Sequence, residues 1–342
     1  MTFNLEKKYI DEKLVDEKEH PEFPLFLYNY TPQCQYSKAW DDVTKMCRGL
    51  IVHKETKEII ARPFTKFFNY EEHAEKGDTL PNEIPKVYTK LDGSLGILYW
   101  WNDEPYIATR GSFTSDQARW ATDYIKQPSV YQWVQKLDRG YTHLFEIIYP
   151  ENRIVISYDF SGLVHLASVH IETGKTKEPD SDFPMVSSIP FTSYQELKSL
   201  NKKNEEGFVL HYPQVDFRVK VKFDDYVKLH KIVTGLSQIG IWEMLKEGID
   251  PTTQDIPDEM YAWLDGIVTD LCGKFIKIEN ECLKVSEEAK QLPSRKEQAI
   301  FITKHKHTGV IFSMLDGKEY AQAIWKLIRP KGSVTFRNDI DA

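Results

Sequence analysis

The spacing of apolar residues changes once along this chain, and that change constrains the fold more than any other feature. Between residues 24 and 227, short β-branched and aromatic runs alternate with Gly, Pro, Asn and Asp, as in antiparallel sheets. After His230, apolar residues recur every three or four positions, as on amphipathic helices. The sequence therefore predicts an α+β protein in which an antiparallel-sheet domain, residues 1–235, precedes an all-α domain, residues 236–342.

Length and composition agree with two domains and indicate the kind of protein to expect. The chain has 342 residues, 41% of them hydrophobic, and a prior of ~150 residues per domain gives two. It shows neither an apolar signal stretch nor a run of ~18 uncharged apolar residues. We expect a monomeric intracellular protein without membrane association, cytoplasmic, or in the host cytoplasm if viral. Four scattered cysteines predict neither a zinc site nor a disulfide scaffold.

The formal net charge of −8 limits how the protein can bind nucleic acid. Proteins that coat nucleic acid non-specifically need a basic surface, because binding depends on neutralising phosphates. Any contact with RNA must therefore come from local basic patches.

Eight runs in the first domain have the length and composition of strands, and two capping signals mark helices. Thr114 with Gln117, and Ser294 with Glu297, match the capping box at a helix start. A further helix is predicted over residues 318–328, ending before Pro330 and Gly332. The candidate strands are residues 49–53, 59–62, 87–90, 95–101, 106–110, 144–148, 154–158 and 163–169.

The stretch YTKLDGSLG, residues 88–96, carries the first chemical signal. Lys90 ends a strand and is followed by a carboxylate, Asp92, and a turn-forming glycine, Gly93. A lysine attacks only as the neutral amine, and backbone next to a glycine lets a nucleotide approach closely. A hairpin turn with a solvated lysine fits the same spacing, so this string alone does not decide.

Residues 217–223, FRVKVKF, form the second signal because apolar and basic residues alternate strictly. In a strand this places Arg218, Lys220 and Lys222 on one face, where they could hold a polyphosphate. An edge strand with a solvated basic face is the alternative.

Two carboxylates and two cations stand in apolar surroundings. Glu146 interrupts the run LFEII and Glu206 precedes GFVL, while Arg48 and Lys66 lie in CRGLIV and TKFFN. Buried carboxylates need cationic, metal or hydrogen-bonding partners. The alternatives are an ion pair of Glu146 with Arg153, a solvated acidic turn at Glu206, and cations that reach solvent.

The order of these motifs is more specific than any one of them. The series CRG, KFFN, KLDGS, TRGS, FEIIYPENRIV, EEGFV and VKVKFDDYVKLH resembles the bacteriophage T4 RNA ligase 1 family, from about Leu27 to His230. The resemblance implies an antiparallel-sheet nucleotidyltransferase (adenylyltransferase) domain. It implies an enzyme that uses ATP and Mg²⁺ (or Mn²⁺) to join RNA 3′-hydroxyl and 5′-phosphate ends through lysyl-AMP and RNA-adenylate.

The resemblance also implies roles for individual residues. Lys90 would carry AMP, Glu146 would contact the ribose, and Asp92 and Glu206 would organise the metal. Lys220 and Lys222 would hold the phosphates, and Arg48 and Lys66 would meet the β and γ phosphates. Arg110 in TRGS is also expected to bind the cofactor, but the best-known member of the family is expected to have lysine there, so the charge is kept and the shape is not.

Three other functions remain open on the sequence. A DNA ligase or a GTP-dependent capping nucleotidyltransferase would share the lysine chemistry, but these usually continue into a β-barrel rather than helices. A non-catalytic RNA-binding relative would keep the fold without turnover. The helical domain is interpreted as a specificity module for a structured RNA, such as a cleaved tRNA anticodon loop, in RNA repair.

Overall fold

Two compact units divide the chain, Met1–Val233 and Thr234–Ala342. The computed structural model describes residues 1–152, 155–234, 237–253 and 261–331. Within these ranges every strand lies in the first unit, and the second contains helices and one 3-10 turn. The prediction of an α+β protein with antiparallel sheets and C-terminal helices is confirmed at that level. None of the described helices combines the length and apolarity needed to cross a membrane.

Three sheets build the first unit. Sheet one has the order β1-β2-β3-β4, sheet two β11-β10-β9-β7-β8, and sheet three β12-β6-β13-β14-β5, with the following bounds. The strands are β1 Val15–Glu19, β2 Leu25–Tyr30, β3 Arg48–His53, β4 Ile59–Ala61, β5 Phe68–Asn69, β6 Lys86–Lys90, β7 Ser94–Trp101, β8 Glu104–Thr109, β9 Tyr141–Ile148, β10 Gly162–His170, β11 Thr176–Lys177, β12 Ser188–Ile189, β13 Gly207–Tyr212 and β14 Phe217–Lys222.

The helices of the first unit have 5 to 11 residues, and the second unit contains one helix of 30 residues. The first unit has α1 Lys7–Asp11, α2 Pro32–Tyr36, α3 Asp42–Met46, α4 Tyr70–Lys76, α5 Asp116–Ile125, α6 Pro128–Gln135, α7 Tyr194–Ser199 and α8 Asp224–Thr234. The second has α9 Gln238–Lys246, α10 Tyr261–Lys290, α11 Arg295–Ile302, α12 Thr308–Leu315 and α13 Ala321–Leu327.

Sheet two is buried on both faces because its strands alternate between two apolar clusters. Leu98 and Phe145 face a cluster that includes Ile125 of α5. Their neighbours along the strands, such as Ile97, pack with Leu27 of sheet one. The period of two along each strand thus places sheet one and the helices on opposite sides of sheet two.

Sheet three has one apolar face and one polar face. Val87, Phe208, Leu210, Val219 and Val221 lie in a single buried cluster on the apolar face. The residues between them, on the same strands, point to the opposite side. The residues of this sheet that are predicted to be functional lie on that side.

Seven of the eight candidate strands are present, and the eighth is not. Residues 155–158 form no strand, while residues 153 and 154 lie outside the described part. The backbone N–H groups of Val155 and Ile156 both donate to Oδ2 of Asp92, at 2.8 Å each. The apolar run therefore satisfies its backbone with a side chain instead of a neighbouring strand.

One of the two predicted helix caps lies one residue later than predicted, and the other is confirmed. Helix α5 is capped by Ser115, whose hydroxyl accepts from the N–H of Ala118, and not by Thr114. Ser294 caps α11 as predicted. The hairpin turn between β7 and β8 consists of Asn102 and Asp103, both with positive φ, so Glu104 and Pro105 belong to the strand.

The second unit is built on α10. Its buried residues Leu264, Ile267 and Leu271 pack with Trp242 and Trp325 from α9 and α13. The helical spacing predicted after His230 is confirmed in α10, a helix of 30 residues described from Tyr261 onward. The helix predicted over 318–328 spans only Ala321–Leu327, and α12 was missed because its nearly uniform apolar run, TGVIFSML, shows no periodicity. Gly332, the predicted stop, lies outside the described residues.

Candidate active site

The polar face of sheet three brings the lysines of two motifs into register. Lys90, the last residue of β6, lies opposite Gly207 on β13. Gly207 in turn lies opposite Lys222 on β14. Residues 132 positions apart in the sequence, Lys90 and Lys222, thus flank one residue of the central strand.

Glu206 joins these two lysines. Its Oε2 lies 2.8 Å from Nζ of Lys90 and its Oε1 lies 3.2 Å from Nζ of Lys222. The Glu206 side chain is only 3% exposed, whereas that of neighbouring Glu205 is 33% exposed and lies 3.6 Å from Lys202. The alternative of a solvated acidic turn is therefore wrong for Glu206, and so is that of a free solvated lysine at Lys90.

Gly207 is what allows Glu206 to enter the sheet at this point. Its φ is +143°, a conformation that L side chains rarely adopt. A Cβ at this position would collide with the carbonyl oxygen of Val221 on β14. The glycine of the EEGFV motif is thus required by backbone geometry and by close packing.

Strand β14 lies inside sheet three, since it pairs with β13 on one side and with β5 on the other. The edge-strand interpretation of residues 217–222 is therefore wrong. Val219 and Val221 are buried in the core, and Arg218, Lys220 and Lys222 share the other face. Three cations spaced two residues apart form a row about 14 Å long at ~3.4 Å per residue.

Glu146 of β9 lies half-buried close to the same cluster. Burial raises the pKa of its carboxyl to about 8, and the nearby charges of Glu206 and Asp92 also raise it, whereas Lys90 lowers it. The nearby backbone N–H of Gly93 also lowers this pKa. A neutral carboxyl at pH 7 can donate a hydrogen bond as well as accept one. Arg153, the alternative ion-pair partner, lies outside the described residues.

Asp92 is buried, and both of its carboxylate oxygens already accept hydrogen bonds. Oδ1 accepts from the hydroxyl of Tyr226 at 2.8 Å, and Oδ2 accepts from two backbone N–H groups of the segment after β9. The backbone N–H of Asp92 donates to the hydroxyl of Tyr158 at 2.8 Å. These contacts hold Asp92 as a structural link beneath Lys90.

The remaining predicted cations lie close to two aromatic rings, those of Tyr30 and Phe67. Lys66 is buried, donates to Oε1 of Gln35 at 2.7 Å and lies 5.2 Å from the ring centre of Tyr30. Arg110 donates to the hydroxyl of Tyr30 at 3.1 Å. The alternative of a cation that reaches solvent is wrong for Lys66.

The second ring is that of Phe67. The guanidinium of Arg48 and Nζ of Lys220 lie 5.5 and 5.6 Å from its centre. Because cations are attracted to aromatic faces, Phe67 fixes two charges from different sheets next to each other.

A family model for RNA ligases of the T4 ligase 1 type matches residues 46–226, which is more than half of the chain. The chain belongs to this RNA ligase family. The matched segment contains all nine residues to which the family resemblance drew attention.

Two viral proteins are among those similar to this RNA ligase family member. It is 30% identical over 260 residues to a "Putative bifunctional polynucleotide kinase/RNA ligase" of Autographa californica nuclear polyhedrosis virus, covering 66% of this chain and 36% of that protein. It is 25% identical to an RNA ligase of Rhodothermus phage RM378, covering 86% of each. The chain thus spans about a third of the first relative and most of the second.

Among solved structures, a mutant of Naegleria gruberi RNA ligase with ATP and Mn aligns with a TM-score of 0.39. The identity is 15%, over 48% of this chain and 56% of that one.

Sequence reasoning missed the aromatic residues that support this site. Tyr226 and Tyr158 hold Asp92, and Tyr30 contacts Lys66 and Arg110. Tyr226 lies within the FDDYVKLH motif, where a tyrosine next to a basic strand was a signal that could have been used. Nothing in the local sequence marks Tyr30 or Tyr158.

Proposed function

We propose that the chain is an ATP-dependent RNA ligase that joins a 3′-hydroxyl to a 5′-phosphate through lysyl-AMP and RNA-adenylate. The observation that carries this proposal is the position of Lys90, held 2.8 Å from Glu206 inside a segment that matches the RNA ligase family. Residues 1–235 would form the adenylation domain.

Lys90 is the nucleophile of the first step. Its neutral amine attacks the α-phosphorus of ATP, a phosphorus–nitrogen bond forms, and pyrophosphate leaves. The amine must first lose a proton, and the Glu206 carboxylate is the nearest acceptor. AMP then passes to the RNA 5′-phosphate and frees Lys90. The 3′-hydroxyl attacks that phosphate and releases AMP.

Glu206 is the residue that fits a divalent cation. Mg²⁺ is usually held by one or two carboxylates together with water and substrate phosphates. Within the described residues, no three His, Cys, Asp or Glu side chains come together as a metal-binding group. A single protein carboxylate that completes its shell with phosphate oxygens agrees with both facts. The cation, Mg²⁺ or Mn²⁺, would stabilise negative charge on the reacting phosphate.

The cations stabilise the phosphate oxygens, where negative charge develops during transfer. Lys222, within 3.2 Å of Glu206, would contact the α-phosphate, and Lys220 would contact the next one. Arg48 lies against the same Phe67 ring as Lys220, which supports a shared role at the β and γ phosphates. In this proposal Lys66 joins them, and Arg110 positions Tyr30.

Glu146 and Asp92 would bind and position rather than react. A carboxyl with a pKa of about 8 can exchange hydrogen bonds with both hydroxyls of a ribose. Both oxygens of Asp92 already accept hydrogen bonds, so the proposal assigns the metal to Glu206. Asp92 then fixes the end of β6, where Lys90 must meet the nucleotide.

The helical unit would recognise the RNA whose ends are sealed. A cleaved tRNA anticodon loop, in tRNA repair in the cytoplasm or host cytoplasm, is the substrate that the family resemblance suggests. A monomer suffices for this proposal, since every residue it uses comes from one chain.

Two comparisons test the proposed function. The protein is incubated with ATP or GTP labelled at the α-phosphate, and RNA or DNA strands with 5′-phosphate and 3′-hydroxyl ends are offered for sealing. An RNA ligase takes label from ATP and seals RNA in preference to DNA. Label from GTP alone would favour a capping-type enzyme, and equal or better DNA sealing would favour a DNA ligase. Absence of label from either nucleotide would favour a non-catalytic relative.

A further inference from the structure

A cavity of about 510 Å³ opens at the end of the cationic row on sheet three. Arg218, the last cation of that row, lines it together with Lys66. The rest of its wall comes from the segments around α2, α3 and α4. Among the residues at its wall, only Lys66 has a role in the proposed adenylation chemistry.

Three lysines give this cavity its charge. Lys38, Lys45 and Lys76 line it, and none of them forms an ion pair with a carboxylate in the described part of the chain. The two carboxylates at the wall have other partners. Asp78 lies 2.9 Å from Nδ1 of His73, and Asp216 lies 2.9 Å from Arg218. A chain with a net charge of −8 thus has an excess of positive charge concentrated at one cavity.

The cavity is continuous with the proposed nucleotide site through Phe67. The ring of Phe67 lines the cavity and also contacts Arg48 and Lys220. Lys222, which flanks Gly207 opposite Lys90, lies four residues after the cavity-lining Arg218 along β14, which is about 14 Å at ~3.4 Å per residue.

The walls of the cavity combine these cations with aromatic surfaces. Trp40 and Phe217 are half-buried and line the cavity beside the lysines. A basic groove with aromatic faces is the usual design for single-stranded nucleic acid, because phosphates meet the cations and bases stack on the rings. Nε2 of His73 is enclosed without a hydrogen-bond partner among the described residues. A ligand that supplies a partner would relieve that unfavourable burial.

We propose that this cavity binds single-stranded RNA next to the end that is sealed, with Lys38, Lys45 and Lys76 on its phosphates. The inference rests on the proposed function for its choice of RNA. It adds a separate binding site to that function. The triphosphate of ATP has the same phosphate chemistry, so the experiment has to distinguish the two.

The first measurement is RNA binding without reaction. A fluorescent single-stranded RNA with a 5′-hydroxyl is titrated with wild-type protein, with a triple variant Lys38→Gln, Lys45→Gln, Lys76→Gln, and with a control triple variant Lys7→Gln, Lys18→Gln, Lys175→Gln. The control replaces three exposed lysines of the same unit. It therefore changes the net charge by the same amount as the cavity variant. We expect the cavity variant to raise the Kd at least tenfold and the control to change it less than twofold.

The salt dependence of binding gives a second readout. Each lost phosphate contact on a single strand lowers the slope of log affinity against log salt by about 0.7, so the cavity variant should lose about 2 units. An equal loss of affinity in both triple variants would overturn the proposal, since it would reflect overall charge.

The second measurement is the KM for ATP in self-adenylylation, without RNA. We expect the cavity variant to keep the wild-type KM, because none of the three lysines is among the proposed phosphate contacts. A KM raised tenfold with unchanged RNA affinity would assign the cavity to the nucleotide and overturn the proposal. The RNA titration does not depend on catalysis, so it still measures binding to the cavity if self-adenylylation fails.

Discussion

The hydroxyl of Tyr226 donates a hydrogen bond of 2.8 Å to Oδ1 of Asp92, across 134 residues of sequence. The other oxygen of Asp92 accepts from Val155 and Ile156. One buried carboxylate therefore ties the segment that follows Lys90 to the loop after β9 and to helix α8.

Replacing Tyr226 by Phe removes one of the three hydrogen bonds to Asp92 while keeping the ring. Hydrogen bonds to charged groups contribute about 1.5–3 kcal/mol, and we expect the free energy of unfolding of the first unit to fall by about that amount. Denaturant titration followed by tryptophan fluorescence measures it. Tyr131→Phe, at a position that is not in the buried core, is the matched control and should change the stability by less than about 0.5 kcal/mol. An equal effect of the two substitutions would contradict the role given to Asp92.

Gly93 should not tolerate a side chain. A Cβ on Gly93 would lie 2.6 Å from the carbonyl oxygen of Ile147 and 3.1 Å from Cγ of Glu146. A backbone atom cannot move aside as easily as the end of a flexible side chain. Gly93→Ala should therefore displace the end of β6 and lower the rate of self-adenylylation at least tenfold. In Gly111→Ala the new Cβ meets only Nδ2 of Asn29 at 3.9 Å, so its rate should stay near wild type. Comparable rates for the two variants would refute the packing argument.

Glu206 and Glu205 are adjacent but have different environments, and their variants should differ accordingly. Glu206→Gln removes the charge that holds Lys90 and Lys222, whereas Glu205→Gln affects only a partly exposed contact with Lys202. We expect self-adenylylation to fall by about 10²-fold or more in Glu206→Gln, as for the loss of one preorganised electrostatic contact. Glu205→Gln should stay within twofold. Single-turnover labelling with ATP measures both, and equal losses would remove Glu206 from the site.

Two buried histidines should make the protein sensitive to acid. Oγ of Ser168 lies 2.8 Å from Nδ1 of His143 and 3.1 Å from Nε2 of His165. Burial lowers the pKa of His143 to about 4 and that of His165 to about 3. Both rings stay neutral in the folded chain but take up protons in the unfolded chain below about pH 6.5. Their contribution to stability is therefore complete above pH 6.5 and is lost as the pH falls toward 4.

The test compares the pH dependence of unfolding with and without one of these rings. As the pH falls, each histidine makes the free energy of unfolding decrease by up to about 1.4 kcal/mol more per pH unit. His165→Gln should lower the stability at pH 7, yet its free energy of unfolding should fall less steeply between pH 6 and 4.5 than that of the wild type. Parallel slopes for the two proteins would show that His165 does not carry the effect.

The sequence was most informative where function depends on local periodicity. Alternation in residues 217–223 correctly separated Val219 and Val221 from Lys220 and Lys222, because a strand repeats every two residues. The coarse division into a sheet-rich and a helical part follows from the same kind of pattern. The register that brings Lys90 and Lys222 to either side of one strand depends on the pairing of strands that are distant in the sequence. It could be expected only from the family resemblance.

Features that depend on distant partners were missed. The apolar run at 155–158 has the composition of a strand, but its N–H groups are satisfied by Asp92, 63 and 64 residues earlier. The environment of Asp92 depends on Tyr226, which no local pattern connects to it. Capping by Ser115 instead of Thr114 is a smaller and purely local error, since either of two adjacent residues could serve as the cap.

The covalent attachment of AMP to Lys90 is the central claim, and a single labelling measurement tests it most directly. Wild-type protein, Lys90→Ala and the neighbouring variant Lys86→Ala are incubated with Mg²⁺ and ATP labelled at the α-phosphate, denatured, and digested for mass spectrometry. We predict that label survives denaturation in the wild type and in Lys86→Ala, maps to the peptide that contains Lys90, and is absent from Lys90→Ala. Label that persists in Lys90→Ala, or that maps to another residue, would contradict this account.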